Sequence, residues 1–279
     1  MSGRIIHVSH YLPIVAALNT NEHSGVPTPP KTPDHEPAHA LDVLTELSSI
    51  TNGSAPAAAG VALTHISPRW SLSHRRGHSA MHSGIRSLSV THEQVIIGWI
   101  GAIHLGPSSP LNSEVNTTPT DSLDNADKII LDEQVAAYHG PDDAPDAKPV
   151  SYASVWLDDA TAHDHYEGYC KTTLWPLFHY LLWQDVTTEL PAEDKDWNAY
   201  VRASEAYAKR VAEVYKPGDL IWIHDYHCLL VPRLLRQLIP EAFIGLFMHT
   251  PFPSSEVFRC LPSKYRCYPL TLLTEVKLF

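Results

Sequence analysis

The sequence predicts an α/β domain, a parallel β-sheet with helices on both faces, and three observations carry that expectation. "DLIWIH" and "AFIGLFMH" are continuous apolar runs of the kind that strands buried on both faces require. The leucine-rich "LLVPRLLRQLIP" between them has helical spacing, so strand, helix and strand make a βαβ unit. Upstream, residues 192–215 place Trp197, Tyr200, Val201, Tyr207, Ala208, Val211 and Val214 at three- and four-residue steps, one face of an amphipathic helix.

The remaining elements follow in chain order. "RIIHVSHYLP" opens with Ile5-Ile6-His7-Val8, a first buried strand that Ser9 ends and Pro13 closes into a loop. Residues 20–62 are rich in Pro, His and acid and bury too little apolar surface to offset their ordering entropy, so they are expected to be disordered. Order returns at "RWSLSHRRGHSAMHSGIRSL", residues 69–88, and "EQVIIGWIG", 93–101, is a second buried strand. Polar inserts near 105–128 and 139–149, also expected to be disordered, flank "IILDEQVAAYHG", and "VSYASVWLDD" is a third apolar strand. Lys216-Pro217-Gly218 stops the long helix, and Arg233 and Arg236 mark the polar side of the next. The inserts share no repeat and read as decorations on one domain, residues 1–262, followed by a divergent tail, 263–279.

Composition excludes several function classes. The formal net charge of -11 argues against a protein that binds nucleic-acid backbones. Cys170, Cys228, Cys260 and Cys267 form no CxxC pair, and reduced buried thiols are expected. "MSGRIIHVSHYLP" lacks the apolar core of a signal peptide, and no apolar run is long enough to span a membrane. A cytoplasmic protein with no membrane partner is the expectation. Asn52 and Asn116 then carry no weight as glycosylation acceptors.

Chemistry concentrates in "IWIHDYHCLLVPRLL", where Asp225 follows one strand and His249 ends the next. In an open parallel sheet ligands bind beyond the carboxyl ends of the strands, so these two residues belong to one crevice. A metal site is not expected: a strand end sends successive side chains to opposite sides, and no HExxH or Cys/His pairing supports one. No cofactor is expected either. Two readings stay open. His224 and His227 close a buried strand toward water, or the carboxylate and imidazoles bind sugar hydroxyls.

"WIHDYHCLLVPRLLR" followed by "IGLFMHTPFPSSEVFRCLP", with "GWIG", "YEGYCKTTLWPLFHY" and "RIIHVSHYLP" in the same order, resembles the trehalose-6-phosphate synthase family, glycosyltransferase family 20. "RWSLSHRRGHSAMHSGIRSLS" resembles in particular the synthase-like N-terminal region of fungal trehalose-6-phosphate phosphatases. The resemblance implies the Rossmann-like N-terminal half of a GT-B glycosyltransferase. In active members this half binds glucose 6-phosphate and the other half binds UDP-glucose. It implies Asp225 as the acceptor-contacting aspartate and His249 as the histidine at the catalytic centre. It also places Trp99 near the acceptor site, Tyr166 at the acceptor phosphate, and Trp175 in a Leu-Trp-Pro motif. From the residues alone, Trp99 and Trp175 read equally as core aromatics, and Tyr166 as a surface tyrosine.

The departures from the pattern shape the functional expectation. The family has Asn-Arg-Leu-Pro after its first strand, and that arginine grips the acceptor phosphate; here the residues are His10-Tyr11-Leu12-Pro13. A tyrosine offers one neutral hydrogen bond, not a charge-assisted pair. Arg75 or Arg76, where the glycine-rich loop resumes, is the candidate replacement cation, while Glu167 near Tyr166 would repel a phosphate if it faced inward. Beyond Pro262 neither a second Rossmann pattern nor an aspartate-based phosphatase motif is found. The expectation is a structural or regulatory synthase-like module, inactive alone, whose partners are other trehalose synthase complex subunits, with glucose 6-phosphate as candidate ligand. The alternatives are a fragment of an active UDP-glucose:glucose-6-phosphate glucosyltransferase and a sugar-phosphate sensing module.

Overall fold

The computed structural model describes residues 3–19, 69–77, 79–106, 117–140, 147–181, 194–252 and 277–278. The expected insert at 20–62, most of the tail, and Cys260 and Cys267 lie outside them. The described residues belong to one compact unit built on a six-stranded, all-parallel sheet.

Its strands are β1 (Ile5–Tyr11), β4 (Gln94–Trp99), β7 (Val150–Val155), β8 (Leu220–His224), β9 (Phe243–Phe247) and β10 (Lys277–Leu278), in the order β10-β9-β8-β1-β4-β7. Counted along the chain this is 3-2-1-4-5-6, the doubly wound Rossmann order, with its switch point between β1 and β8. Strand alternation decides which face each residue serves. Ile6, Val8, Val95, Ile97, Ile221, Ile223, Ile244 and Leu246 join one core with α5 (Asp194–Val214) and α6 (Val231–Leu238). Ile96 and Tyr152 join the other with Ile85 of α1 (Ser79–Ser87) and Leu131 and Val135 of α2 (Asn125–Ala136). Helices therefore cover both faces, as the continuous apolar strands require.

A second sheet was not foreseen. Pro13 does not open a loop. β2 (Ile14–Leu18) follows it and pairs antiparallel with β3 (Trp70–His74), from Ile14↔His74 to Leu18↔Trp70, and parallel with β5 (Ile103–Leu105). β6 (Thr117–Thr118) completes the order β3-β2-β5-β6. The 105–128 expectation is likewise corrected over 117–128. There the Thr120 hydroxyl donates to the Leu157 carbonyl at 2.7 Å, Leu123 is buried, and the Asp124 side chain caps α2. Polar composition misled because these side chains serve caps and turns, which order a segment without a wide apolar face.

Two features shape the region beyond the strand ends. Between α3 (Asp159–His163) and α4 (Trp175–Phe178) the chain winds as a π-helix, Asp164–Leu174, the wide i→i+5 form that recurs at functional sites. β1 shifts register against β4 between Val8 and Tyr11. That shift sets Leu12 so close that a Cβ on Gly98 would lie 2.6 Å from its backbone nitrogen. The bulge re-aims the side chains at the end of β1, as such irregularities do.

Candidate functional site: a crevice at the switch point

A cavity of about 390 Å³ opens where β1 and β8 diverge, the size of a small-molecule site. Ser9, His10 and Tyr11 come from the end of β1, and His224 to His227 from the end of β8. His249 follows β9, Tyr166 and Trp175 come from the π-helix and its continuation, and Arg75, Gly77, Met81 and His82 from the chain after β3 and from α1.

Asp225 is the least ordinary residue here. It is one of two non-glycine residues with positive φ (+69°) among the described residues, a conformation that costs energy and clusters at functional sites. Its N–H donates to the Phe247 carbonyl at 2.8 Å, which pins the strand end to β9. Its Oδ1 is buried without a hydrogen bond from a described residue, and Oδ2 lies 3.7 Å from His227 Nδ1. Burial pushes the carboxyl pKa up, against the opposing pull of the Tyr226 and His249 backbone and of the His249 and His179 rings. A carboxylate that lines a crevice with one buried oxygen unpaired among the described residues can accept from ligand hydroxyls.

Arg75 supplies the positive charge. Its Nε donates to the Leu12 carbonyl at 3.0 Å, and its Nη2 to the Ile14 and Ile100 carbonyls at 3.1 and 2.7 Å. The guanidinium lies 4.5 Å from the Tyr11 ring centroid, a cation–π contact. Gly101 permits this approach, since a Cβ there would lie 2.6 Å from Nη2. The cation thus stands beside Tyr11, with part of its donor set committed to backbone carbonyls.

Aromatic rings form the wall. His10 stacks on Tyr166 with centroids 4.7 Å apart and on His227 at 5.0 Å, and Tyr11 stacks on Trp99 at 5.1 Å. Behind them His165 is fully buried, and its pKa is lowered to about 4 by that burial. The Tyr200 hydroxyl donates to the Tyr226 carbonyl at 2.6 Å and accepts from Leu229 N–H at 3.0 Å, which holds the turn after Asp225.

The residues singled out in the sequence divide clearly. Tyr166, Trp175, Arg75, Asp225 and His249 line the crevice together. Trp99 is buried behind Tyr11, and Arg76 is exposed; neither lines it. Glu167 does not line it either, and its carboxylate pairs with Lys171 at 2.7 Å. His224 does not close its strand toward water: it is buried among other imidazoles, and only His227 keeps the edge position. Among the described residues no group of three or more His, Cys, Asp or Glu is arranged to hold a metal ion. No described helix is long and apolar enough to cross a membrane, and Cys170 and Cys228 are free and buried. His10, Met81 and His82 were missed; the signal for His10 was available, since it lies one residue from the end of the first strand.

A doubly wound sheet with a crevice beyond its switch point is the Rossmann-like fold that each half of a GT-B glycosyltransferase carries. The profile of glycosyltransferase family 20 matches residues 111–268, more than half of the 279, and the chain belongs to that family. The alpha,alpha-trehalose-phosphate synthase [UDP-forming] A of Dictyostelium discoideum is 48% identical over 117 residues, 42% of this chain and 15% of that protein. The trehalose synthase complex regulatory subunit of Saccharomyces cerevisiae is 47% identical over 112 residues, 40% of this chain and 10% of that protein. The solved N-terminal domain of Candida albicans trehalose-6-phosphate phosphatase superposes with a TM-score of 0.56 at 28% identity, over 100% of this chain and 40% of that one. The chain therefore spans well under half the length of these relatives.

Proposed function

We propose that this chain serves trehalose biosynthesis in the cytoplasm as the acceptor-side, synthase-like module of a trehalose-6-phosphate synthase/phosphatase subunit. It holds a sugar phosphate such as glucose 6-phosphate in the switch-point crevice. Its work is assembly and regulation alongside other trehalose synthase complex subunits, without glucosyl transfer of its own. Asp225 accepts from sugar hydroxyls, Tyr166 and Trp175 wall the ring, Arg75 faces the phosphate, and His249 stands at the mouth.

The observation that carries this reading is the pairing of Arg75 with Tyr11. It restores a positive charge at the acceptor end, which favours binding of a phosphorylated sugar. Yet three of the guanidinium's hydrogen bonds go to main-chain carbonyls, which leaves it unable to grip a phosphate with its full fork. The kinship with a regulatory subunit of the yeast complex supports the same view.

Two measurements test it. Calorimetry of the full chain with glucose 6-phosphate should give millimolar-range binding that Arg75→Met abolishes; no heat at millimolar ligand defeats the sugar-phosphate reading. UDP release from UDP-glucose and glucose 6-phosphate should stay at background; clear turnover defeats the non-catalytic reading.

A further inference from the structure

Three imidazoles run in line from the interior of the sheet to the mouth of the crevice. His7 lies on β1, His224 ends β8, and His249 follows β9. Gln94, the first residue of β4, closes the inner end: its Oε1 is 2.9 Å from His7 Nε2. His7 Nδ1 is 3.0 Å from His224 Nε2, and His224 Nδ1 is 3.4 Å from His249 Nε2. His7 and Gln94 are 1% exposed, so water does not intervene at that end.

A neutral imidazole has one N–H and one lone pair, on different nitrogens. In a chain of neutral rings joined nitrogen to nitrogen, every hydrogen bond must therefore point the same way. The direction is set at the closed end. With Gln94 Oε1 accepting, His7 carries its proton on Nε2 and accepts at Nδ1 from His224 Nε2–H. His224 Nδ1 then accepts from His249 Nε2–H, and His249 keeps its lone pair on Nδ1. We propose that Gln94 and His7, which do not line the crevice, are positioning residues that lock His249 as the Nε2–H tautomer, so that its Nδ1 is the acceptor offered to a ligand hydroxyl.

The surroundings keep the inner rings neutral. Trp222 stacks within 6 Å of both inner rings, and a cavity of about 360 Å³ beside the three imidazoles is lined on its far side by the apolar Met81 and Ile85 of α1 and Leu88 just after it. The charged or titratable neighbours are His82 from α1 and Asp225 beside His249. Burial lowers the pKa of His7 to about 4 and that of His224 to about 3, so neither ring is a cation at neutral pH. The inference stands on this geometry and holds whatever occupies the crevice.

Nitrogen-15 spectra of histidine-labelled full chain at pH 7 test it directly, because couplings across N–H···N bonds identify each donor. Expected are His224 Nε2 donating to His7 and His249 Nε2 donating to His224. Gln94→Leu should raise the minor Nδ1–H form of His249 from under about one part in ten to a readily measured population, and Gln94→Glu, an acceptor at the same place, should restore the lock. A wild-type protein with Nδ1–H on the three rings overturns the assignment, since Gln94 would then present its amide nitrogen. So does a His249 population that Gln94→Leu leaves unchanged in a folded chain. If Gln94→Leu does not fold, the wild-type donors alone decide.

Discussion

Acidification from pH 7 to pH 5.5 is expected to remove about 4 kcal/mol of folding stability. The perturbation acts on His7, His165 and His224, which are buried with pKa values lowered to about 4, 4 and 3, each first by desolvation. In the unfolded chain each would titrate near 6.5. Over this window the unfolded state takes up a proton at each site and the native state does not, so stability falls as pH falls. For a free pKa near 6.5 the loss between pH 7 and 5.5 is between about 1 and 1.5 kcal/mol per ring, so roughly 4 for the three. Asp225, whose pKa is raised by burial, acts with the opposite sign: its native form binds a proton more tightly, so it trims the slope. Asp158, Asp164 and Asp219, with values lowered from 3.8, contribute their losses progressively below about pH 5, outside this window. Urea denaturation at the two pH values reads the difference. The pair His7→Leu and Gln94→Leu, which removes one ring with its partner, should reduce the pH effect by about a third. Coincident midpoints at pH 7 and 5.5 would refute the burial argument.

Other outcomes follow from single contacts. Tyr200→Phe deletes a buried hydroxyl that makes two backbone hydrogen bonds and should cost about 2 kcal/mol in denaturant unfolding. Gly98→Ala places a Cβ 2.6 Å from the Leu12 nitrogen, so it should cost about 3 kcal/mol or prevent folding, read from soluble yield and melting temperature. Asp225→Asn keeps a residue that tolerates positive φ and removes a buried, under-satisfied carboxylate. It should leave the melting temperature equal or higher while weakening glucose 6-phosphate binding about tenfold or more, measured by calorimetry.

Much of the fold was legible because its signals are local. Continuous apolar runs named β1, β4, β7, β8 and β9, and the three- and four-residue spacing of Trp197, Tyr200, Tyr207 and Val211 named α5. The second sheet was not, because "IVAAL" in β2 finds its partners in residues 70–74 and 103–105, pairings no local window contains. The π-helix was invisible for another reason: Tyr166, Tyr169 and Cys170 fit a helical pattern, and the change to i→i+5 bonding has no composition of its own. In the site, Asp225 and His249 followed from the rule that ligands lie beyond parallel strand ends. His7 did not, since one polar residue within Ile5-Ile6-His7-Val8 reads as an interruption until the strand order sets β8 beside it. Arg75 was singled out only by a resemblance, and its link to Tyr11 required the register of β2 against β3.

That register has an architectural consequence. β2 and β3 are zipped at their far end by Leu18↔Trp70 and by Asn19 N–H to the Arg69 carbonyl at 2.8 Å. Arg75 follows β3, so the point at which it reaches the crevice is indexed on β2 through this register. The paired strands β2 and β3 thus act as a ruler that gives the cation its address.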